Sequence, residues 1–296
     1  MAAPDVSALA SSFVGSASIF KQNLLKWDLR SQGVQIRTNV KTPQALNKLS
    51  AVGGPRPYST GDNFTTGPKH NDRLLTAYQS KWDYEFDEEN YRNTYLAELP
   101  ENMSFEQAAM QQVADTYLDS LIKNTLYLGV RNGAGTAAAD IANGWGKIIA
   151  DEIVATNITP VVTGAITSAN AVTKVEQVAD ATQIWMKKKG YRIYCSYQMF
   201  QDYATHYRTL NGFQFQPNVT GGYRLDNRNA ILTPADFMGT SRRLIATVDG
   251  NLVFGSDAEQ VQVHATPYLN YIKVRLMMPV GLQIQDLEAL VVNDQA

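Results

Sequence analysis

Between Ser31 and Gln79 the chain never sustains a helical period, and this stretch constrains the fold more than any other. Short β-like pieces such as Val34–Val40 are separated by turn signals: Gly53-Gly54-Pro55-Arg56-Pro57, Thr60-Gly61-Asp62-Asn63 and Gly67-Pro68. A structureless connection of this length is uncommon inside a compact domain. Two readings remain: a disordered segment, or an extended arm and loop ordered by neighbouring subunits. Ile36, Leu46, Leu49, Tyr58, Phe64, Leu74 and Tyr78 are spread through it, and apolar side chains in that number favour burial over disorder. On the second reading another subunit supplies the burial. That expectation points to a self-assembling structural subunit.

Beyond this stretch the patterns sharpen. Lys81–Asp87 alternates strictly, with Trp82, Tyr84 and Phe86 on one face and Lys81, Asp83, Glu85 and Asp87 on the other, which predicts a half-buried strand with an acidic outer edge. Ser104 and Gln107 have capping-box spacing, and Phe105, Ala109, Val113, Tyr117 and Leu121 form a stripe widened by Ala108, Ala114, Leu118 and Ile122. The spacing predicts a long spine helix to about Tyr127, about 36 Å in length. Gly133, Gly135, Gly144 and Gly146 mark a loop; a helix over Ala171–Lys189 follows, capped by Asn170, with Val175, Val178, Thr182 and Trp185 inward. Then come a strand Tyr191–Cys195 and a helix opened by Ser196 and stopped at Asn211-Gly212. Leu244–Val248 and Leu252–Phe254 flank Asp249-Gly250-Asn251, a hairpin signal. Val261–Val263, Tyr271–Leu276 and Gly281–Ile284 complete the strands, and the class is α+β.

Composition removes several functions. The formal net charge of −2 argues against a basic duplex-binding surface. Cys195 is the one cysteine, so neither an intrachain disulfide nor a thiolate metal cluster can form. The N-terminus lacks a basic and then apolar signal pattern, and no apolar run approaches the roughly 18 residues of a membrane span. The Asn63-Phe-Thr and Asn102-Met-Ser triplets then read as chance, in a protein made in the cytoplasm. His70, His206 and His264 include no i, i+4 pair. Cys195 and His206 sit too far apart along a strand and helix to hydrogen-bond within that unit, and a buried thiol is the commoner role for such a cysteine. Gly133-Ala-Gly135 follows a helix rather than a strand and lacks a Gly-Lys-Ser/Thr partner, so it is no phosphate cradle; a connector or a loop at a subunit contact remains. Asp83, Glu85, Asp87, Glu88 and Glu89 lack the glycine turn and distal Glu of a calcium loop. They form a solvated strand face, or an acidic rim meeting Arg56, Lys69 or Arg73 of another copy. The residues imply no enzyme, no cofactor and no metal.

The order of arm, loop, strand, spine helix, α/β insert and returning strands resembles the major capsid protein of tailed bacteriophages, the Hong Kong 97-type fold. Ser196-Tyr-Gln-Met-Phe200-Gln-Asp-Tyr203 with Leu210-Asn-Gly212 resembles the helix after the first insert strand of that family. Asn251-Leu-Val-Phe-Gly-Ser-Asp257 is similar to its Asn-Leu-x-x-Gly-Thr-Asp stretch, with Ser256 in place of Thr. The resemblance implies an N-terminal arm over 1–33 and an extended loop over 34–78. It also implies a peripheral domain over 79–135 and 256–296 and an axial domain over 136–255. The implied function is assembly into hexamers and pentamers that close an icosahedral shell around packaged double-stranded DNA, without sequence-specific binding. Arg56, Tyr58, Phe64, Lys69, Arg73, Asp83, Glu85 and Asp87 are the interface candidates.

The chain departs from the family in two ways. Many relatives carry a scaffolding segment before the arm, for which a start at Met1 leaves no room, so scaffolding would come from a separate protein or be unnecessary; a separate scaffolding protein and a portal are the candidate partners. Some relatives crosslink through Lys and Asn; Lys69 lies in the loop but no motif identifies its partner, so no crosslink is expected. An encapsulin-type nanocompartment shell is the rival within the architecture. A monomeric enzyme or ligand-binding domain is the rival from another class.

Overall fold

The computed structural model describes residues 28–41, 43–50, 69–87, 105–212, 221–257, 260–268 and 271–295. The described chain opens with a 3-10 turn at Asp28–Arg30 and strand β1 (Gln35–Arg37). Strands β2 (Gln44–Ser50) and β3 (Lys69–Leu75) pair antiparallel into a two-stranded ribbon. Strand β4 (Tyr78–Asp87) follows, then the spine helix α1 (Phe105–Asn124). Its 20 residues span about 30 Å. Met110, Ala114, Tyr117, Leu118 and Leu121 make its buried stripe, at the spacing of one helix face. The Ser104 cap lies outside the described residues.

Helices α2 (Trp145–Val154), α3 (Ala171–Ala181) and α4 (Ile184–Lys189) lead to strand β5 (Tyr191–Cys195) and helix α5 (Tyr197–Asn211). Ser196 caps α5 as its sequence implies, its hydroxyl accepting from the Met199 amide at 3.3 Å. Strands β6 (Tyr223–Arg224), β7 (Ala230–Pro234), β8 (Ile245–Thr247) and β9 (Leu252–Gly255) come next. The chain ends with β10 (Gln262–Tyr268), the 14-residue β11 (Tyr271–Ile284) and β12 (Leu290–Val292).

Two five-stranded sheets organise the body. In one, the first part of β11 runs between β10 and β4, and its last four residues pair with β9, which also carries β1 in parallel. The spine helix covers this sheet's apolar face: Trp82 stacks on Tyr117 at 6.0 Å between ring centroids, and Ser80 hydrogen-bonds the Tyr117 hydroxyl. Burial drives the Tyr117 phenol up to about 12. The other sheet has the order β12-β8-β5-β7-β6, and its core gathers Val175, Val178, Met199, Tyr203, Ile193 and Leu232 from α3, α5, β5 and β7.

Several sequence expectations need correction. The segments at 244–248 and 252–254 form no hairpin with each other: β8 joins the β5 sheet and β9 joins the β11 sheet. Turn chemistry fixes a change of direction, not the strand that the next segment meets. The buried Asn251 amide nitrogen donates to the Thr247 hydroxyl and the Asp286 carbonyl, and the Asp286 amide donates to Asn251 Oδ1, so this corner is tied to a third segment. The helix expected over Ala171–Lys189 breaks at Thr182, whose hydroxyl bonds back to the Ala179 carbonyl at 2.7 Å while its own backbone is extended. After that break Met186 is buried and Trp185 faces solvent, reversing the expected facing. Gly144 and Gly146 do not mark a loop but open α2, where the Gly146 amide meets the Tyr127 carbonyl at 3.1 Å and a Cβ would lie 2.7 Å from that oxygen.

The largest correction concerns the opening third. Leu29, Val34, Ile36, Val40, Leu46 and Leu75 are buried by this chain itself. Leu74 and Tyr78 do face solvent, whereas Tyr58, Phe64 and the Leu49 side chain lie outside the described residues. No second subunit is needed to bury Ile36 or Leu46.

Candidate functional site

The acidic face of β4 was a candidate rim for meeting another copy. In the structure its charges meet a basic strand of the same chain. Asp83 lies directly opposite Arg275 in the β4–β11 ladder, and Glu85 opposite Lys273. Arg275 donates Nε and Nη2 to the two Asp83 oxygens, and Lys273 reaches Glu85 at 3.2 Å. The Arg275 hydrogen bond, with its charge, holds the Asp83 carboxyl below the usual carboxylate range. Lys81 adds a weaker contact to Asp83 at 3.6 Å. All these groups are solvent-exposed, so each pair is weak and screened by salt. Asp87 faces Tyr271 in the backbone register, but its side chain lies outside the description. The signal that would have found the partners is present in Tyr271-Ile-Lys-Val-Arg-Leu276: the same alternation as β4, with opposite charge.

Arg73 is also engaged within the chain. Its Nη2 reaches Glu152 on α2 at 2.7 Å and the Gln283 side-chain oxygen on β11 at 2.9 Å. Gln283 returns its amide to the Leu74 carbonyl at 2.8 Å. Arg73 and Leu75 share one face of β3 by the strand period, and both turn toward the body, as does Leu46 on β2. Leu46, Leu75, Val40 and Val253 form a small apolar cluster of their own at the ribbon's base. Gly255 makes the seat possible, because a Cβ there would lie 2.6 Å from Leu75. The Asn251–Asp257 motif thus anchors a corner at Asn251, buries Leu252, Val253 and Phe254, and leaves space at Gly255 for the ribbon. Its role in the fold is mechanical.

Arg56, Tyr58 and Phe64 lie outside the described residues, and of Lys69 only the backbone, in β3, is described. The Nδ1 of the buried His206 accepts from the Val172 amide at 3.0 Å, which makes it a satisfied core histidine. Cys195 is fully buried, and burial pushes its thiol up, away from the thiolate form a nucleophile needs. His264 sits exposed on β10, 3.2 Å from the Gln262 side chain. Among the described residues no three His, Cys, Asp or Glu side chains gather as a metal site, and no helix is long and apolar enough to cross a membrane. A cleft of about 740 Å³ lies between α1, β4 and the 131–141 loop, with Trp82, Tyr117, Arg131 and Ile141 in its walls. Arg131 rests over the Tyr78 ring at 4.5 Å and donates to the Asp140 carbonyl at 3.2 Å.

No protein-family model matches the sequence, and no curated protein matches it. Solved structures match by shape. A chain of the satellite phage P4 procapsid, a structure that includes the size determination (Sid) protein, superposes with a TM-score of 0.60 at 10% identity, over 99% of this chain and 91% of that one. A chain of the empty GTA particle capsid gives 0.55 at 11% identity, over 89% and 88%. The capsid of Myoviridae phage XM1 gives 0.53 at 13% identity, over 90% of each chain. At such identities the likeness is one of backbone path. The chain has the fold seen in these phage and phage-like capsids.

Proposed function

We propose that this chain is the major capsid protein of a tailed phage or prophage, and that its function is shell assembly. The observation that carries the reading is the extent of the fold likeness: 99% of this chain and 91% of the P4 procapsid chain are covered together. The likeness runs over most of both chains rather than over a single shared domain. On this reading hexamers and pentamers close an icosahedral Hong Kong 97-type shell around double-stranded DNA, in the virion capsid. The near-neutral net charge of −2 suits a wall that contains a polyanion without gripping it. The proposed units remain an arm over 1–33, a loop over 34–78, a peripheral domain over 79–135 with 256–296, and an axial domain over 136–255. The β5 sheet also takes β12 from the last of these peripheral residues.

Arg56, Tyr58, Phe64, Lys69 and Asp87 stay the proposed contacts with neighbouring copies, beside the outer faces of Asp83 and Glu85. Arg73 stays a candidate with them, although it already meets Glu152 and Gln283 of its own subunit. Size-exclusion chromatography with negative-stain microscopy tests the proposal: rings, capsomers or closed shells are expected, alone or after phage-lysate scaffolding and portal proteins are supplied. A chain that stays a monomer of about its sequence mass of 32.7 kDa under both conditions overturns it. Purified shells boiled in denaturant are expected to run as single subunits, and a ladder of linked subunits would refute the absence of a crosslink.

A further inference from the structure

The geometry points to Arg73 as a positioning residue: a polar strut that fixes the angle of the β2–β3 ribbon on the body, separately from the apolar seat that attaches it. The seat is a single small cluster, in which Leu46 and Leu75 pack with Val40 and Val253 over Gly255. It stands apart from the two larger cores of the body. Between β3 and β4 only Thr76 and Ala77 intervene, and neither lies in a strand. One seat beside a two-residue link leaves a pivot, since a seven-residue strand attached at one end acts as a lever. A second fixed point removes that freedom. Arg73 supplies it through Glu152 on α2 and Gln283 at the end of β11, two body elements far apart in sequence, and Gln283 adds its own hydrogen bond to the Leu74 carbonyl.

One nitrogen carries both contacts: Arg73 Nη2 meets Glu152 at 2.7 Å and Gln283 at 2.9 Å. Loss of that nitrogen releases both body elements at once, so the ribbon angle depends on this side chain as well as on the apolar seat. The inference rests on the contacts of this chain alone and holds whether or not shells form.

Spin labels at Lys48→Cys on the ribbon and Gln112→Cys on α1 report the angle as a distance distribution. The doubly labelled full chain is diluted into excess unlabelled chain, so that only distances within one copy are read. Cys195 has no solvent exposure and takes no label. A single narrow distance is expected in the parent, with a broadened or second population in Arg73→Ala and a smaller broadening in Glu152→Gln. Arg73→Lys keeps the charge without the planar fork and should fall between the parent and Arg73→Ala. The swap Arg73→Glu with Glu152→Arg should narrow the distribution again relative to either single change. A control pair, Gln112→Cys with Thr209→Cys, should not move in any variant. Unchanged ribbon distances in Arg73→Ala and Glu152→Gln overturn the proposal, and so does equal broadening in the control pair, which would mark a general loss of structure.

Discussion

In the sheet built on β5, Ile193, Leu232 and Ala246 lose all solvent exposure among helices and strands that lie close to them in sequence. In the ribbon, Leu46 and Leu75 lose theirs against Val253 and Gly255, reached from far along the chain. The first region carries its own two layers and many buried neighbours; the second borrows one small seat, one ion pair and the hydrogen bonds of Gln283 to Arg73 and Leu74. Equal burial of single residues therefore does not mean equal cooperativity. Removing a side chain from the first should loosen a whole core, while removing one from the second should free an appendage.

The largest expected effects test this directly. Leu232→Ala and Leu75→Ala each delete a fully buried side chain, and such truncations cost about 2–5 kcal/mol where the structure cannot collapse into the gap. For Leu232→Ala that loss should appear in global unfolding by denaturant. For Leu75→Ala it should appear as faster amide exchange across 44–50 and 69–75, with 191–195 protected as before. Equal loss of protection in both regions after Leu75→Ala would show that the ribbon and body unfold as one unit. Gly33→Ala comes next. Gly33 has φ +86°, and a Cβ there would stand 2.6 Å from Asp249 and 2.9 Å from both Arg192 and the Tyr194 hydroxyl. The backbone conformation alone costs an L-residue about 1–2 kcal/mol. Because the Gly250 amide bonds the Gly33 carbonyl at 2.8 Å and Tyr194 donates to the Gln32 carbonyl at 2.6 Å, the start of the described chain should detach from the body. Faster proteolysis before β1 is the measurement.

Sequence reasoning read the first of these regions well and the second poorly, for a physical reason. Tyr191–Cys195, the Ser196 cap and the stop at Gly212 are local features whose chemistry lies within one element. Lys81–Asp87 was legible because a half-buried strand writes its two faces into a period of two. The ribbon's burial depends on contacts between residues such as Leu75 and Gly255, and no period records a partner that distant. The same limit hid the destination of β9 and the pairing of Arg73 with Glu152. Among the candidate interface residues, Asp83 and Glu85 were placed on the correct exposed face, but their cations stand on β11 of the same chain.

A helix cap separates the regions on a smaller scale. Ser196→Ala removes the acceptor of the Met199 amide at the start of α5, a loss of about 1 kcal/mol for such caps. Since α5 packs on the β5 sheet through Met199 and Tyr203, the loss should register in the global melting temperature and leave the ribbon distances unchanged. A ribbon that moves in this variant would mean that the two regions are coupled through the body.

The smallest effect is a pH response, and its sign follows from two carboxylates. Asp294 accepts from the Thr163 hydroxyl at 2.8 Å and from the Thr163 and Gly164 amides at 3.0 and 3.3 Å. The Thr163 hydroxyl bond is the largest cause that holds its acid well below the ordinary 3.8. Asp83 is lowered from the same value chiefly by Arg275. A carboxyl depressed in the fold adds stability that is fully present above its unfolded value, near 3.8, and is lost as pH falls through the folded value. The melting temperature should therefore decline below about pH 4. Asp294→Asn should flatten part of that decline, and Asp83→Asn a different part. Both groups face solvent, so each change should be small. Salt separates them: screening weakens the exposed Asp83–Arg275 pair, while Asp294 is held by uncharged donors that ions screen little. If added salt erased both contributions equally, Asp294 would be held by charge rather than by the Thr163 and Gly164 donors that bind the C-terminal segment to the β5 unit.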